Sequence, residues 1–332
     1  MRRLAFAVVL LLAVSFFFSQ FGHFSQFVAV VQRGQPVWIV LALVVQGAWL
    51  VNQTAQYRAA YRVVGLDQPY RTLLPLVLAS TFLNVVAPSA GISGLAVFVD
   101  DARKRGVSTA RVTLAGVLYI VFDYIAFSIV LTLGLLALFR RNDLHASELV
   151  ASGILFGVAL ILISIILLGM SSAAELERAL AWGARLVNRI VRIILHRDYL
   201  SETLAHQFAS EAAEGLETLR RQPRGGWLFP IALALSSKAL LITLLFLIFL
   251  AFDQPFSVGA ITAVFSLGYL FTIVSPTPLG IGVAEGAMVL TLTSLRVPIE
   301  AAVVITLAYR GFTVWLPLAY GFAMLQITGI RR

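Results

Sequence analysis

The sequence contains no cysteine, which excludes a disulfide framework and any thiolate centre. It is also poor in charge: only 12% of its 332 residues are Asp, Glu, Lys or Arg. Histidine is scarce too. His23, His145, His196 and His206 lie in or near loops, without the spacing of a metal site. There is no serine-centred elbow, no His-Glu-x-x-His and no Asp-rich metal motif. The expectation is a chain without catalytic residues, without a metal and without a cofactor.

What is present is apolar. Hydrophobic residues make up 60% of the chain, and the mean hydropathy is +0.92. A soluble core cannot absorb that much apolar surface, so the composition predicts an all-α, polytopic membrane protein. The net charge is +9, from 25 basic and 16 acidic residues. Most basic residues stand at the ends of apolar runs and in one long loop. That placement points to membrane topology and anionic phospholipid as a partner, not to nucleic acid.

About six full spans are predicted, at 4–21, 37–57, 107–139, 147–170, 227–251 and 298–327. The first follows Arg2 and Arg3 and lacks a small-residue cleavage site, so it reads as an uncleaved span and not as a signal peptide. The third and sixth exceed the ~20 residues a crossing needs, which predicts tilt or a kink.

Two further apolar segments, 72–100 and 258–295, are interrupted by proline and glycine. The first reads NVVAPSAGISG (84–94) and the second VSPTPLGIGVAEG (274–286). Pro88 falls on Pro278 at an offset of 190 (278 − 88 = 190), and the same offset carries Val107 onto Val297 and Tyr119 onto Tyr309. Backbone freed by Pro88, Gly91, Gly94, Pro276, Pro278, Gly280 and Gly282 is tolerated at membrane depth only in a protein interior or a polar cavity. Paired interruptions in matching places of two halves point to a transport site. Each segment is therefore expected to form a re-entrant helical hairpin.

Arg58, Arg62, Arg71, Arg103, Lys104, Arg105 and Arg111 flank the first hairpin; Arg33, Arg140, Arg141 and Arg296 occupy the opposite loops. The positive-inside rule then places both termini in the cytoplasm of a cell inner membrane. Three crossings separate the hairpins, so the repeats are inverted. The expected organisation is a first membrane half (1–170), a cytoplasmic amphipathic helical insertion (171–225) and a second membrane half (226–332). The insertion carries an apolar stripe at Leu176, Leu180, Val187, Ile190 and Ile194 with arginines on other faces.

Four ionisable residues interrupt the apolar segments: Asp123, Lys238, Glu285 and Arg310. Uncompensated, an Asp, Lys or Arg costs roughly 2.5–3.5 kcal/mol at mid-bilayer, so they should face inward and pair. Glu285 with Arg310 is the preferred pair, because the sixth span follows the second hairpin directly; the sequence leaves the partners open. The functional reading makes Arg310 a phosphate ligand held by Glu285 in the empty state. The structural reading makes each pair a buried lock on helix register. Half-helix N-termini at the breaks attract anions. The GIGVAE stretch superficially resembles a nucleotide-binding glycine motif, but no strand precedes it.

At these residues the chain resembles the lysylphosphatidylglycerol synthase transmembrane region family. The resemblance rests on Asn84, Pro88, Gly91 and Gly94 followed by ARKRGVS (102–108), and on SPTPLGIGVAE (275–285) followed by Tyr309-Arg310. The first break departs from the family pattern, since Ser93-Gly94-Leu95 has no acid. The resemblance implies a lipid flippase or transporter without aminoacyl transfer. A membrane-embedded lipid transferase is one alternative, and a non-catalytic partner of a lipid-synthesis enzyme is the other. Asn84, Asp123, Lys238, Glu285, Tyr309 and Arg310 are the candidate substrate-binding residues. Small-residue faces leave room for a homodimer.

Overall fold

The computed structural model describes residues 27–86, 92–141, 144–171, 178, 215–218, 226–275 and 277–328. The first expected span, Pro88, Gly91, Pro276 and nearly all of the 171–225 insertion lie outside the described residues.

Every described element is helical. In chain order they are α1 (Pro36–Val63), α2 (Tyr70–Val86), α3 (Ile92–Lys104), α4 (Thr109–Phe139), α5 (Ala146–Ser171), α6 (Leu228–Ala251), α7 (Val258–Val274), α8 (Val283–Ser294), α9 (Ile299–Arg310) and α10 (Leu316–Thr328). A single 3₁₀ turn, Pro278–Gly280, precedes α8, and a π-helical segment, Gly311–Trp315, joins α9 to α10. Among the described residues, five helical stretches are long and apolar enough to cross a membrane: α1, α4, α5, α6 and Ile299–Gly321. α1 and α5 expose broad apolar faces, among them Val40, Val44, Ile154, Leu160, Ile161 and Leu167, as lipid-facing helices do.

The repeat visible in the sequence sets the helix boundaries. α3 ends at Lys104 and α8 at Ser294; α4 begins at Thr109 and α9 at Ile299; both offsets are 190. The equivalent helices also end alike. After α3, the Val107 amide donates to Ala102 (2.9 Å) and the Gly106 amide to Arg103 (3.3 Å). After α8, the Val297 amide donates to Leu292 (3.0 Å) and the Arg296 amide to Thr293 (3.0 Å). Both are Schellman closures, which need a left-handed residue. Glycine fills that position at Gly106 (φ 66°), whereas Arg296 (φ 67°) adopts it at a steric cost of about 1–2 kcal/mol.

Packing follows the same correspondence. α1 lies against its counterpart α6, and the two run antiparallel. The Gln35 amide at the start of α1 donates to Ala251 at the end of α6 (2.9 Å), while Asn52 further along α1 donates to Ser236 near the start of α6 (2.5 Å). The short helices exchange partners: α7 packs on α4 of the first half, and α2 packs on α10 of the second. Within each half the short helices around the break pack together, α2 on α3 and α7 on α8.

The sixth stretch is continuous from Ile299 to Thr328 but passes through the π segment. That segment accounts for the irregularity its length predicted. Gly311, the first π residue, lies directly against the Phe27 ring, which meets Phe312 edge-on at 5.6 Å.

Candidate functional site

The second break is closed by one arginine. α7 ends at Val274, the 3₁₀ turn follows, and Leu279 within it takes a left-handed conformation (φ 49°) that turns its carbonyl toward α9. Gly280 (φ 69°) is required here, because a Cβ would come within 2.7 Å of the Thr272 Cα and 2.8 Å of the Phe271 carbonyl. Arg310, at the last position of α9, reaches into this turn. Its Nε donates to Glu285 Oε1 (2.6 Å), one terminal nitrogen to Thr272 Oγ1 (3.3 Å), and the other to the Leu279 carbonyl (2.7 Å). The guanidinium fork thus joins α7, the turn, α8 and α9 at one point, which a single ammonium cannot do.

Glu285 serves two neighbours. Oε1 faces Arg310, and Oε2 accepts the Gly282 amide at the N-terminus of α8 (2.7 Å). A carboxylate is favoured there by the unpaired amides and the helix dipole. Arg310 is only 5% exposed, while the Glu285 side chain retains 22% exposure. The pair is therefore buried on the arginine side and open on the carboxylate side.

The first break is held differently. Asn84 Oδ1 accepts the Gly94 amide across the interruption (2.8 Å), and any Cβ on Gly94 would sit within 2.5–2.8 Å of the Asn84 amide group. The positions matching Arg310, Glu285 and Thr272 are Ile120, Leu95 and Phe82. Among the described residues, a charged clamp holds the second break and an amide side chain bridges the first.

A second ion pair lies between the halves. Lys238 on α6 donates to Asp123 Oδ1 on α4 (2.6 Å) and to the Tyr269 hydroxyl on α7 (2.7 Å). Tyr269 in turn donates to Asp123 Oδ2 (3.0 Å), closing a three-membered ring of hydrogen bonds. The ammonium also stands 4.0 Å from the Tyr269 ring centroid and 6.0 Å from that of Phe127. Lys238 is 1% exposed, so it does not snorkel; its charge is matched in place.

Of the two arrangements open to two acids and two bases, the preferred one is formed: Glu285 pairs with Arg310, and Asp123 with Lys238. Tyr309 is buried in the larger apolar cluster and takes no part in the Arg310 hydrogen bonds. Tyr269 and Thr272 were not among the expected site residues; inside the apolar run of α7 they carry no signal of their own. A row of amides on α1 was also missed, although Gln46, Asn52, Gln53 and Gln56 interrupt a predicted span. Gln53 donates to the Tyr119 hydroxyl (3.4 Å), Gln56 to Asn52 (3.0 Å), and Tyr57 stacks between Tyr119 and Phe98.

Residues 3–321 match the lysylphosphatidylglycerol synthase TM region. The chain belongs to the lysylphosphatidylglycerol synthase TM region family. It is similar to a UPF0104 membrane protein of Methanothermobacter thermautotrophicus, at 23% identity over 304 residues, covering 90% of this chain and 87% of that one. A UPF0104 membrane protein of Methanocaldococcus jannaschii is also 23% identical, over 333 residues, covering 96% of this chain and 94% of its relative. Membership of this family and five membrane-length helices make the chain a multi-pass membrane protein.

Proposed function

We propose that this family member moves a phospholipid, or a lipid-linked substrate, between leaflets without chemically altering it. The observation that carries the reading is the Arg310 clamp: a buried guanidinium pinning a broken helix through contacts that a phosphate can replace. In the empty state the Glu285 carboxylate and the Leu279 carbonyl occupy Arg310. An arriving headgroup phosphate takes their place, and the 3₁₀ turn is released. Acyl chains stay in lipid throughout.

The antiparallel run of α1 and α6 supports inverted repeats, and the paired short helices around each break support re-entrant hairpins. Both termini are assigned to the cytoplasm, with the first hairpin entering from that side and the second from the opposite side. Residues 1–170 and 226–332 form the two membrane halves, with 171–225 as a cytoplasmic insertion. Anionic phospholipid is the assigned partner class.

The test is headgroup accessibility of fluorescent phosphatidylglycerol in proteoliposomes. Wild type should scramble or flip it measurably, and Arg310→Ala should slow the rate at least tenfold. Equal rates would remove Arg310 from the mechanism.

A further inference from the structure

The Asp123–Lys238–Tyr269 ring lies near the middle of α4 and α6 and is sparsely bonded for a buried ion pair. Among the described residues, the carboxylate accepts two hydrogen bonds, one at each oxygen, of the roughly four it can take. Lys238 has three N–H donors and two oxygen acceptors, and aromatic faces complete its surroundings. A pair kept only to lock helices is best served by full satisfaction, because leftover polar capacity adds to the desolvation cost. The other ionisable groups within electrostatic reach of Asp123 are tyrosines: Tyr57 on α1, and Tyr119 and Tyr124 on α4 itself. The arginines of α1 that follow, Arg58 and Arg62, turn to Asp67. The charges of α3 stand at its C-terminal end, where Asp100 pairs with Lys104 and Asp101 with Arg105. α5 brings only Glu148, engaged with the His145 amide at the helix start.

A polar approach leads toward this ring from the end of the molecule that carries the basic turn. Tyr61, Gln68, Thr72, Asp101 and Arg105 line a cleft there, with Phe98 in its wall. The Arg105 and Asp101 side chains are 45% and 24% exposed, so the cleft opens to the surface. Its interior holds about one water molecule, which is too little for a headgroup. Phe98 is 1% exposed and stacks on Tyr57 at 4.5 Å between ring centroids, and Tyr57 stacks on Tyr119 at 4.0 Å. Tyr119 stands one turn before Asp123 on the same face of α4. Its hydroxyl accepts from Gln53 of α1 (3.4 Å). Three aromatic rings, from α3, α1 and α4, thus separate a cleft that admits water from a buried carboxylate.

From this arrangement we infer that the Asp123–Lys238–Tyr269 ring is a proton-binding site, filled from the Tyr61–Arg105 cleft through a closed gate of Phe98, Tyr57 and Tyr119. Intramembrane carboxylates with a polar approach serve as proton relays in pumps and transporters. The ligand here is a single proton. It passes from a hydronium ion to the Asp123 carboxylate and leaves water behind, so the net charge of the ring rises from zero to one positive. Lys238, 1% exposed, is then without its countercharge, and Tyr269 loses its anionic acceptor. α7 is the helix that answers, because it holds Tyr269 on the ring and Thr272 on Arg310. Under the proposed lipid translocation, on which this last step alone rests, arrival of the proton loosens the Arg310 clamp.

The test counts protons and needs no transport. Purified full chain in nanodiscs is mixed, by stopped flow in weak buffer, from about pH 9 to about pH 5.5, a range in which exposed carboxylates stay ionised. An indicator dye reads the uptake. The reference is the double variant Asp123→Leu with Lys238→Met, which removes both charges together and keeps every histidine. Wild type should take up one proton per chain more than this reference. Phe98→Ala should speed that extra uptake at least tenfold, and Tyr119→Phe, which keeps the ring and removes the hydroxyl, should slow it at least threefold; neither should change its amount. Equal uptake in wild type and reference makes the ring a structural lock and overturns the inference. Wild-type rates in both single variants overturn the gate. An extra proton in a chain that moves no lipid keeps this site and sinks the transport reading; lipid movement without the extra proton does the reverse.

Discussion

Tyr269 and Thr272 stand three residues apart on α7, and each serves a different buried ion pair. Tyr269 completes the Asp123–Lys238 ring, and Thr272 accepts from Arg310. Residues at this spacing share a helix face with Cβ atoms about 5–6 Å apart. One face of α7 therefore carries both charge centres, one between the halves and one within the second half. A rotation of α7 disturbs both at once.

The Asp123–Lys238 pair should behave as a coupled unit. Lys238→Met leaves Asp123 buried without its countercharge, and is expected to cost about 3–5 kcal/mol. Asp123→Leu alone should cost a similar amount, and the double substitution should recover most of the loss. A thermal unfolding double-mutant cycle in detergent checks this; additive losses would mean that the two charges do not depend on each other.

Arg310→Lys should fail to hold the second break despite keeping the charge. One ammonium cannot reach Glu285, Thr272 and the Leu279 carbonyl together. Hydrogen exchange across 277–283 should accelerate in Arg310→Lys nearly as much as in Arg310→Ala, with α4 unchanged. Wild-type protection in the lysine variant would contradict the clamp.

At the first break, Gly94→Ala forces a Cβ into the Asn84 side chain. The expected loss is about 1–3 kcal/mol, typical of overpacking. Asn84→Ala should relieve the clash in a Gly94→Ala background while losing the amide bond to residue 94. Midpoint temperatures of the four proteins settle the sign of that coupling.

Because the chain has no cysteine, paired cysteines can be introduced without background. Asn52→Cys with Ser236→Cys should oxidise to a disulfide in the membrane, since these side chains touch across antiparallel α1 and α6. Asn52→Cys with Phe252→Cys, at the far end of α6, should not. Cross-linking of the second pair alone would reverse the helix directions.

The breaks were legible in the sequence because proline and glycine interrupt a helix wherever they cluster inside an apolar segment, and the 190-residue offset reappears in the helix ends of α3, α4, α8 and α9. The charges were legible by contrast: Asp123, Lys238, Glu285 and Arg310 stand out against hydrocarbon. Three things were not. Tyr269 sits in a mostly apolar run, where a tyrosine that pairs with a charge looks like any core aromatic. The π segment at Gly311–Trp315 is a backbone register change with no residue signature beyond the span's excess length. The Gln46–Gln56 amides were visible, but a neutral amide in a span signals polarity without naming a partner; the partners Ser236 and Tyr119 lie 184 and 66 positions from Asn52 and Gln53 (236 − 52 and 119 − 53).

The matched closures at Gly106 and Arg296 separate backbone form from side-chain chemistry. Two turns 190 residues apart are closed by the same pair of bonds and the same left-handed residue, yet one holds glycine and the other arginine. One backbone geometry thus carries two different sets of side chains: Ile120 and Leu95 stand where the second segment has Arg310 and Glu285. A shared turn does not dictate a shared chemistry, and the arginine clamp has no counterpart at the matching positions of the first half.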